Sequence, residues 1–313
     1  MNPFPYSNTN KRYHTYHYFL TQKFGGKVAK ISLNAGFTCP NIDGKKGTGG
    51  CTFCSSRGSG DFAGEAALSL EEQFQQGKGL LRPKWGEQVK YIPYLQAHTN
   101  TYAPLNRLKA VYQQAVALPG AVGLSIATRA DCISRETADY LQRLSTQTYV
   151  EVELGLQTIF DETAQYINRC HSYKDFLKGY TLLKQRGIPV CIHIINGLPG
   201  ENRDMMVKTA QEVGRLGAHS IKIHLLHVLK GTKMEQQLAR GEFSLLSREE
   251  YVEIVCSQLE RLPPELVVQR LTGDGDKAHL IGPMWSADKR RVLNEIDKEL
   301  ARRNSWQGKF WEE

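Results

Sequence analysis

The sequence predicts an α/β fold: a partial (β/α)6 barrel, preceded by an N-terminal helical segment and followed by a C-terminal α/β extension. Short apolar strands alternate six times with amphipathic stretches of helical length, the pattern of a parallel sheet with helices outside it. The polar clusters fall just after the strands, so in a curled sheet they share one C-terminal rim, where ligands bind. After about residue 245 the rhythm changes. The chain is therefore divided into a basic and aromatic segment over 1–27, a barrel over 28–245 and an extension over 246–313.

The elements follow in order. Residues 1–42 contain no Asp or Glu, but Lys11, Arg12, Lys23, Lys27 and Lys30 are interleaved with Tyr13, His14, Tyr16, His17, Tyr18 and Phe19. A helix over 10–22 is expected here. Cations mixed with rings suit a nucleic-acid groove; they suit equally a helix that packs its rings on the barrel and leaves its lysines solvated. The alternating stretch 28–33 is the first strand and leads straight into a cysteine loop. A helix then runs from Leu70 to near Gly79, and 89–96 is the second strand. Pro104 opens a helix through about 118. Residues 122–127 are the third strand, and Ser134 caps the helix after it, with Glu136 in its first turn.

Residues 149–154 form the fourth strand, followed by helices over 160–168 and 173–186. The fifth strand, 188–195, ends in Asn196-Gly-Leu-Pro-Gly-Glu201; a helix to about 216 and a sixth strand over 221–227 complete the barrel. In the extension, Ser247-Arg-Glu-Glu250 starts a helix that Pro263-Pro264 ends. Residues 266–271 form a strand. The last helix, 286–303, carries Lys289, Arg290, Arg291, Lys298, Arg302 and Arg303 on one side, either a phosphate-contacting face or a solvated surface.

Chemistry concentrates between Cys39 and Cys54. Three thiols, Cys39, Cys51 and Cys54, stand in a C-x11-C-x2-C pattern with no fourth cysteine nearby. A closed zinc site wants four ligands, and so does an ordinary iron–sulfur cluster. Three thiolates on a four-iron cluster would leave one iron to bind a substrate. A zinc half-site and a redox pair remain open on the spacing alone. Phe53, between the last two thiols, suits shielding of such a centre or packing.

Together with Glu153-Leu-Gly-Leu-Gln157, Asn168-Arg-Cys-His171 and Asn196-Gly-Leu-Pro-Gly-Glu201, these thiols resemble the radical S-adenosylmethionine (SAM) superfamily, in the branch of the elongator catalytic subunit and oxygen-independent coproporphyrinogen oxidase. Gln96-Ala-His-Thr-Asn-Thr-Tyr-Ala-Pro104 and Ser125-Ile-Ala-Thr-Arg-Ala-Asp131 are similar to the YhcC/YtqA-type proteins of that branch. The resemblance spans about 28–285 and implies a TIM-like partial barrel. It implies that Cys39, Cys51 and Cys54 hold a [4Fe-4S] cluster. SAM would chelate the fourth iron and, on reduction, give a 5′-deoxyadenosyl radical. Gln157 and Arg169 would contact its ribose and carboxylate, and Gly197 and Leu198 its adenine. Phe53, Thr99, Asn100, Arg129, Glu153 and His193 complete the implied cofactor set. Two of these depart from the family pattern: Thr99-Asn100-Thr101 replaces a glycine-rich segment, and His193 stands where an acid is usual. The resemblance further implies an electron donor such as flavodoxin or ferredoxin, and a transfer-RNA wobble uridine as substrate. A small metabolite or tetrapyrrole-like substrate is the alternative, and a non-catalytic zinc-binding RNA adaptor the reading from another class.

Composition sets the bounds. With 313 residues, 41% hydrophobic and 23% charged, the chain has the make-up of a globular protein with a sizeable core. A net charge of +8 is compatible with a polyanion partner without requiring one. The first residues lack the apolar run of a signal peptide, and no run is long enough to span a bilayer. Seven scattered cysteines fit a reduced, cytoplasmic protein.

Overall fold

The structure, a computed structural model, describes residues 4–58, 60, 62–86, 88–273, 275 and 277–312. Seven parallel strands form one sheet in the order β1 (Val28–Leu33), β2 (Lys90–Leu95), β3 (Gly123–Thr128), β4 (Tyr149–Gln157), β5 (Val190–Asn196), β6 (Ser220–Leu225) and β8 (Val267–Arg270). The partial barrel is thus present with seven strands, not six. The added strand is the one read at 266–271 in the extension; it pairs in parallel with β6, Ser220 opposite Val267. The sheet is curled: Lys30 on β1 reaches Gln269 on β8, Nζ to Oε1 3.1 Å, although these two strands do not pair.

Helix α1 (Tyr16–Phe24) precedes the sheet, and helices α2 (Leu70–Trp85), α3 (Leu105–Val116), α4 (Arg135–Ser145), α5 (Asp161–Tyr166), α6 (Tyr173–Lys184) and α7 (Arg203–Arg215) follow its strands as expected. Beyond β6, a short antiparallel pair joins β7 (Val228–Leu229) to β9 (Leu280–Gly282), and helices α8 (Lys233–Ala239), α9 (Arg248–Leu259) and α10 (Lys289–Arg302) complete the chain. Ser134, Ser69, Ser172 and Ser247 cap α4, α2, α6 and α9, and the last three complete capping boxes with Glu72, Asp175 and Glu250. Helix α2 runs six residues past Gly79. Its glycine at 77 is a close-approach position, not a stop: a Cβ there would lie 2.4 Å from Ile31 Cγ2.

The N-terminal rings close the bottom of the barrel, opposite the rim. Phe4, Tyr13 and Leu20 are buried. Phe19 packs edge-on against His219 at 4.9 Å and Phe24 against Tyr149 at 5.8 Å. Thr15 bridges Val268 in parallel register, and the His14 N–H donates to Gln307 Oε1 at 2.9 Å. On α10, Arg291 is paired with Glu295, Arg302 with Glu299, and Arg303 with Glu253, Glu260 and Glu299. Three of the six cations read on the last helix therefore have carboxylate partners. No helix among the described residues is long and apolar enough to cross a membrane.

Candidate active site

At the C-terminal rim the sheet opens into a cavity of about 300 Å3, lined by Cys39, Cys51 and Cys54 together with Phe53, Thr99, Arg129, Glu153, Gln157, Arg169 and His193. Ten of the thirteen residues read from the sequence therefore meet in one place. The cysteine loop is pinned rather than loose. The Thr52 N–H donates to Ile167 O at 3.0 Å, and the Met234 N–H donates to Thr52 O at 2.9 Å. Asn168 Nδ2 donates to Thr48 O and Gly50 O at 3.2 and 2.7 Å, while Asn41 Nδ2 donates to Asn168 O at 2.5 Å. Gly58 lets the loop pass over His98, where a Cβ would lie 2.2 Å from Nδ1.

The donor set fits a cluster with one open iron. Cys54, hydrogen-bonded to Cys51, and burial push the Cys51 thiol well above the ordinary thiol range. Cys51 and Cys54 are thus within hydrogen-bond reach of each other, close enough for a shared cation to hold both. Among the described residues no fourth cysteine lines the cavity. The positive charge of Arg129 lies close enough to act on Cys39 and Cys51. Its guanidinium is itself fixed by a two-point bond to Asp131, 3.0 and 3.1 Å, and Asp131 also holds Lys46 of the cysteine loop at 2.7 Å.

Strand β4 ends in a bulge between Gly155 and Gln157 that turns the Gln157 amide into the cavity. Gln157 sits at φ 63°, and a Cβ on Gly155 would lie 2.5 Å from Gln157 Nε2. That amide offers a donor and an acceptor, suited to ribose hydroxyls. Arg169 lines the cavity, but its donors are occupied. Nε donates to His171 O at 3.0 Å, and Nη1 to Thr158 O at 2.6 Å and to Leu156 O. Nη2 lies 3.4 Å from Asp161. Burial pushes this guanidinium down to about 10. Its contacts are those of a clamp on the carbonyls that end β4.

Asn100, Gly197 and Leu198 are not brought to the cavity. Asn100 is fully buried, and its Nδ2 bonds Leu95 O, Ala97 O and Ala127 O at 3.1, 3.0 and 2.9 Å, stitching the end of β2 to β3. The Gly197 N–H donates to Met206 Sδ. Leu198 lies in a small apolar cluster with Ile167, Leu226, Val228 and Met234, on which Phe53 rests. They support Phe53 from behind.

The barrel interior below the thiols is charged. Glu153 receives Lys30 at 2.5 Å, His193 Nε2 and Tyr94 Oη at 2.7 Å each, Ser125 at 3.0 Å, and Lys222. Burial alone would raise its carboxyl, but Lys222 and Lys30 outweigh burial and hold it well below the usual range. Glu151 takes Lys30 at 2.7 Å and Gln269 at 2.6 Å. Glu153, Cys191 and His193 are close enough together to suggest a metal site. The chemistry opposes it: Glu153 is engaged by two ammonium groups, and burial and Glu153 hold the Cys191 thiol protonated. Lys222, His224 and Arg270 also line the cavity and were not singled out in the sequence. Their signal was present. In Ile221-Lys-Ile-His-Leu225 the polar residues alternate within a strand that a parallel sheet buries on both faces, so they must point into the barrel.

Comparison with known proteins agrees with this geometry. Residues 43–213 match the family model of the radical SAM superfamily, and residues 218–302 match that of the Radical_SAM C-terminal domain. The chain belongs to the radical SAM superfamily. This radical SAM enzyme is 52% identical over 311 residues to the uncharacterized protein YtqA of Bacillus subtilis, covering 99% of the chain and 96% of its relative. It is 30% identical over 156 residues to the tRNA uridine(34) acetyltransferase of Methanocaldococcus jannaschii, covering 49% of the chain and 28% of that protein. Its fold is similar to that of the archaeal Methanocaldococcus infernus Elp3, with a TM-score of 0.68 and 19% identity over 90% of the chain and 64% of that structure. Its cofactors are those of the superfamily, a [4Fe-4S] cluster and SAM. The reading as a non-catalytic zinc adaptor falls with this assignment.

Proposed function

We propose that this radical SAM enzyme modifies a transfer RNA at a wobble uridine. The observation that carries the reading is the open cavity at the rim, where three thiols and the Gln157 amide on one side face a wall of histidines and cations on the other. Its mouth includes the exposed apolar residues Ile42 and Phe62, the second an aromatic face on which a base could stack. The likeness to a tRNA uridine(34) acetyltransferase supports the same substrate.

Cys39, Cys51 and Cys54 hold the cluster in this reading. When bound, the cluster supplies the electron that cleaves SAM to methionine and the 5′-deoxyadenosyl radical. The chain supplies position and shelter. Gln157 takes the ribose hydroxyls and Arg129 the carboxylate, Arg169 fixes the end of β4, and Phe53 covers the thiols. The electron comes from a small reductant of the flavodoxin or ferredoxin class, and the reduced cytoplasm, in which seven free cysteines persist, is where the enzyme works.

One observation favours the second reading, a small-molecule substrate: the N-terminal rings pack inside the fold, and Arg302 and Arg303 are both paired with Glu299. Mass spectrometry of transfer RNA from a deletion strain decides between them. A changed wobble modification that the plasmid-borne gene restores is expected. An unchanged profile under aerobic and anaerobic growth would overturn the RNA reading.

A further inference from the structure

The cavity has two chemically different sides. The thiols, Arg129 and Gln157 come from the loops after β1 and β3 and the end of β4, and they suit the cofactors. The other side is built by β5 and β6, where His193 and His224 stand with ring centroids 5.1 Å apart and planes at 38°. We infer that His193 and His224 recognise the uncharged hydrogen-bonding edge of a nucleobase, and so set which substrate enters. This rests on the RNA reading of the site.

The argument begins with the tautomer. His193 Nε2 lies 2.7 Å from Glu153 Oε2, and Glu153, flanked by two lysines, is ionised and can only accept. The proton is therefore on Nε2, and Nδ1 is left as an acceptor. His224 Nε2 is buried with no hydrogen-bond partner among the described residues, on a ring that lines the cavity. A buried polar atom without a partner is costly, and a site keeps one where a ligand completes it.

Burial, and the nearby Lys222 and Arg270 cations, hold both rings neutral. Neutral imidazoles each offer one donor or acceptor and no charge, which suits an amide-like ring edge better than a phosphate. Phe53 and Phe62 line the same cavity and give that ring an aromatic surface.

The test uses the full chain, prepared anaerobically with its cluster, and two probes: free uridine, and an unmodified anticodon stem-loop RNA. Affinities are measured by calorimetry for the wild type, His224→Phe and His224→Asn. The first variant keeps a ring without nitrogens. The second keeps a polar group near Nδ1 and removes Nε2, and circular dichroism verifies that each is folded. We expect at least a tenfold loss for both variants with either probe, and recovery of at least half of that loss in His224→Gln, whose amide reaches the Nε2 position. Variants that bind both probes as the wild type does would overturn the histidine assignment and leave the RNA reading standing. A wild type that binds neither probe, in a strain whose deletion leaves transfer RNA unchanged, overturns both.

Discussion

Replacing Glu153 by Gln keeps the shape of the side chain and removes the charge that the barrel interior is built around. Lys30 retains Glu151 at 2.7 Å, but Lys222 loses its carboxylate. Leaving that ammonium buried and unpaired costs about 3–5 kcal/mol. Giving up its proton at pH 7, against an unfolded value near 10.4, costs about 4–5 kcal/mol. Burial already lowers the basicity of Lys222 with the carboxylate present, so the variant is expected to carry neutral lysine. Its folded state then binds one proton fewer than its unfolded state. Stability therefore rises with pH, by about 1.4 kcal/mol per unit, until the unfolded lysine titrates near 10.4. In the wild type the depressed Glu153 carboxyl acts elsewhere. Its contribution is full above the ordinary glutamate range near 4.3 and is lost as pH falls through its folded value. Chemical denaturation followed by far-UV circular dichroism measures both effects, the slope of the variant at pH 7, 8 and 9 and the acid loss of the wild type below the ordinary glutamate range. Adding Lys222→Met to Glu153→Gln should recover half of the loss or more and remove the slope. A single-variant loss below about 1 kcal/mol, or a double variant as unstable as the single one, would refute this account of the barrel interior.

Three further outcomes are expected. Replacing Cys39, Cys51 or Cys54 singly by Ala should abolish iron and sulfide retention after anaerobic reconstitution. Cys191→Ala, deep in the barrel, should retain both; iron assay and visible absorbance read the difference. Gly155→Ala places a methyl 2.5 Å from Gln157 Nε2 and must displace that amide. SAM affinity, titrated on the cluster-loaded protein, should fall about tenfold while stability changes by less than about 1 kcal/mol. Asn100→Ala removes the donor to three carbonyls at the ends of β2 and β3. A loss of about 2–4 kcal/mol in denaturation is expected, with iron content unchanged.

What was legible in the sequence and what was not divides along a physical line. Strand order and rim position follow from periodicity, because a parallel strand must alternate with a crossover helix, and the loops after the strands then converge. The thiols, Gln157 and Arg129 are on such loops or strand ends, and they converge. Arg169 and Asn100 show where linear reasoning stops. Both stand at motif positions, yet Asn100 spends its amide on carbonyls at the ends of β2 and β3, and Arg169 its guanidinium on carbonyls of the turn between β4 and α6, bonds that exist only once the backbone has folded there. Charge counting stopped at the same boundary. It leaves the acid-free N-terminus open to a nucleic-acid groove or a packed helix because the acids that answer it are far away in sequence: Lys11 pairs with Asp297, and Lys30 with Glu151 and Glu153. Lys30 shows why this matters for function. It is read as one more exposed cation in a basic segment, but strand alternation turns it inward, where it holds ionised the same Glu153 that fixes the proton on His193. The first strand thereby reaches the wall of the cavity through a single carboxylate.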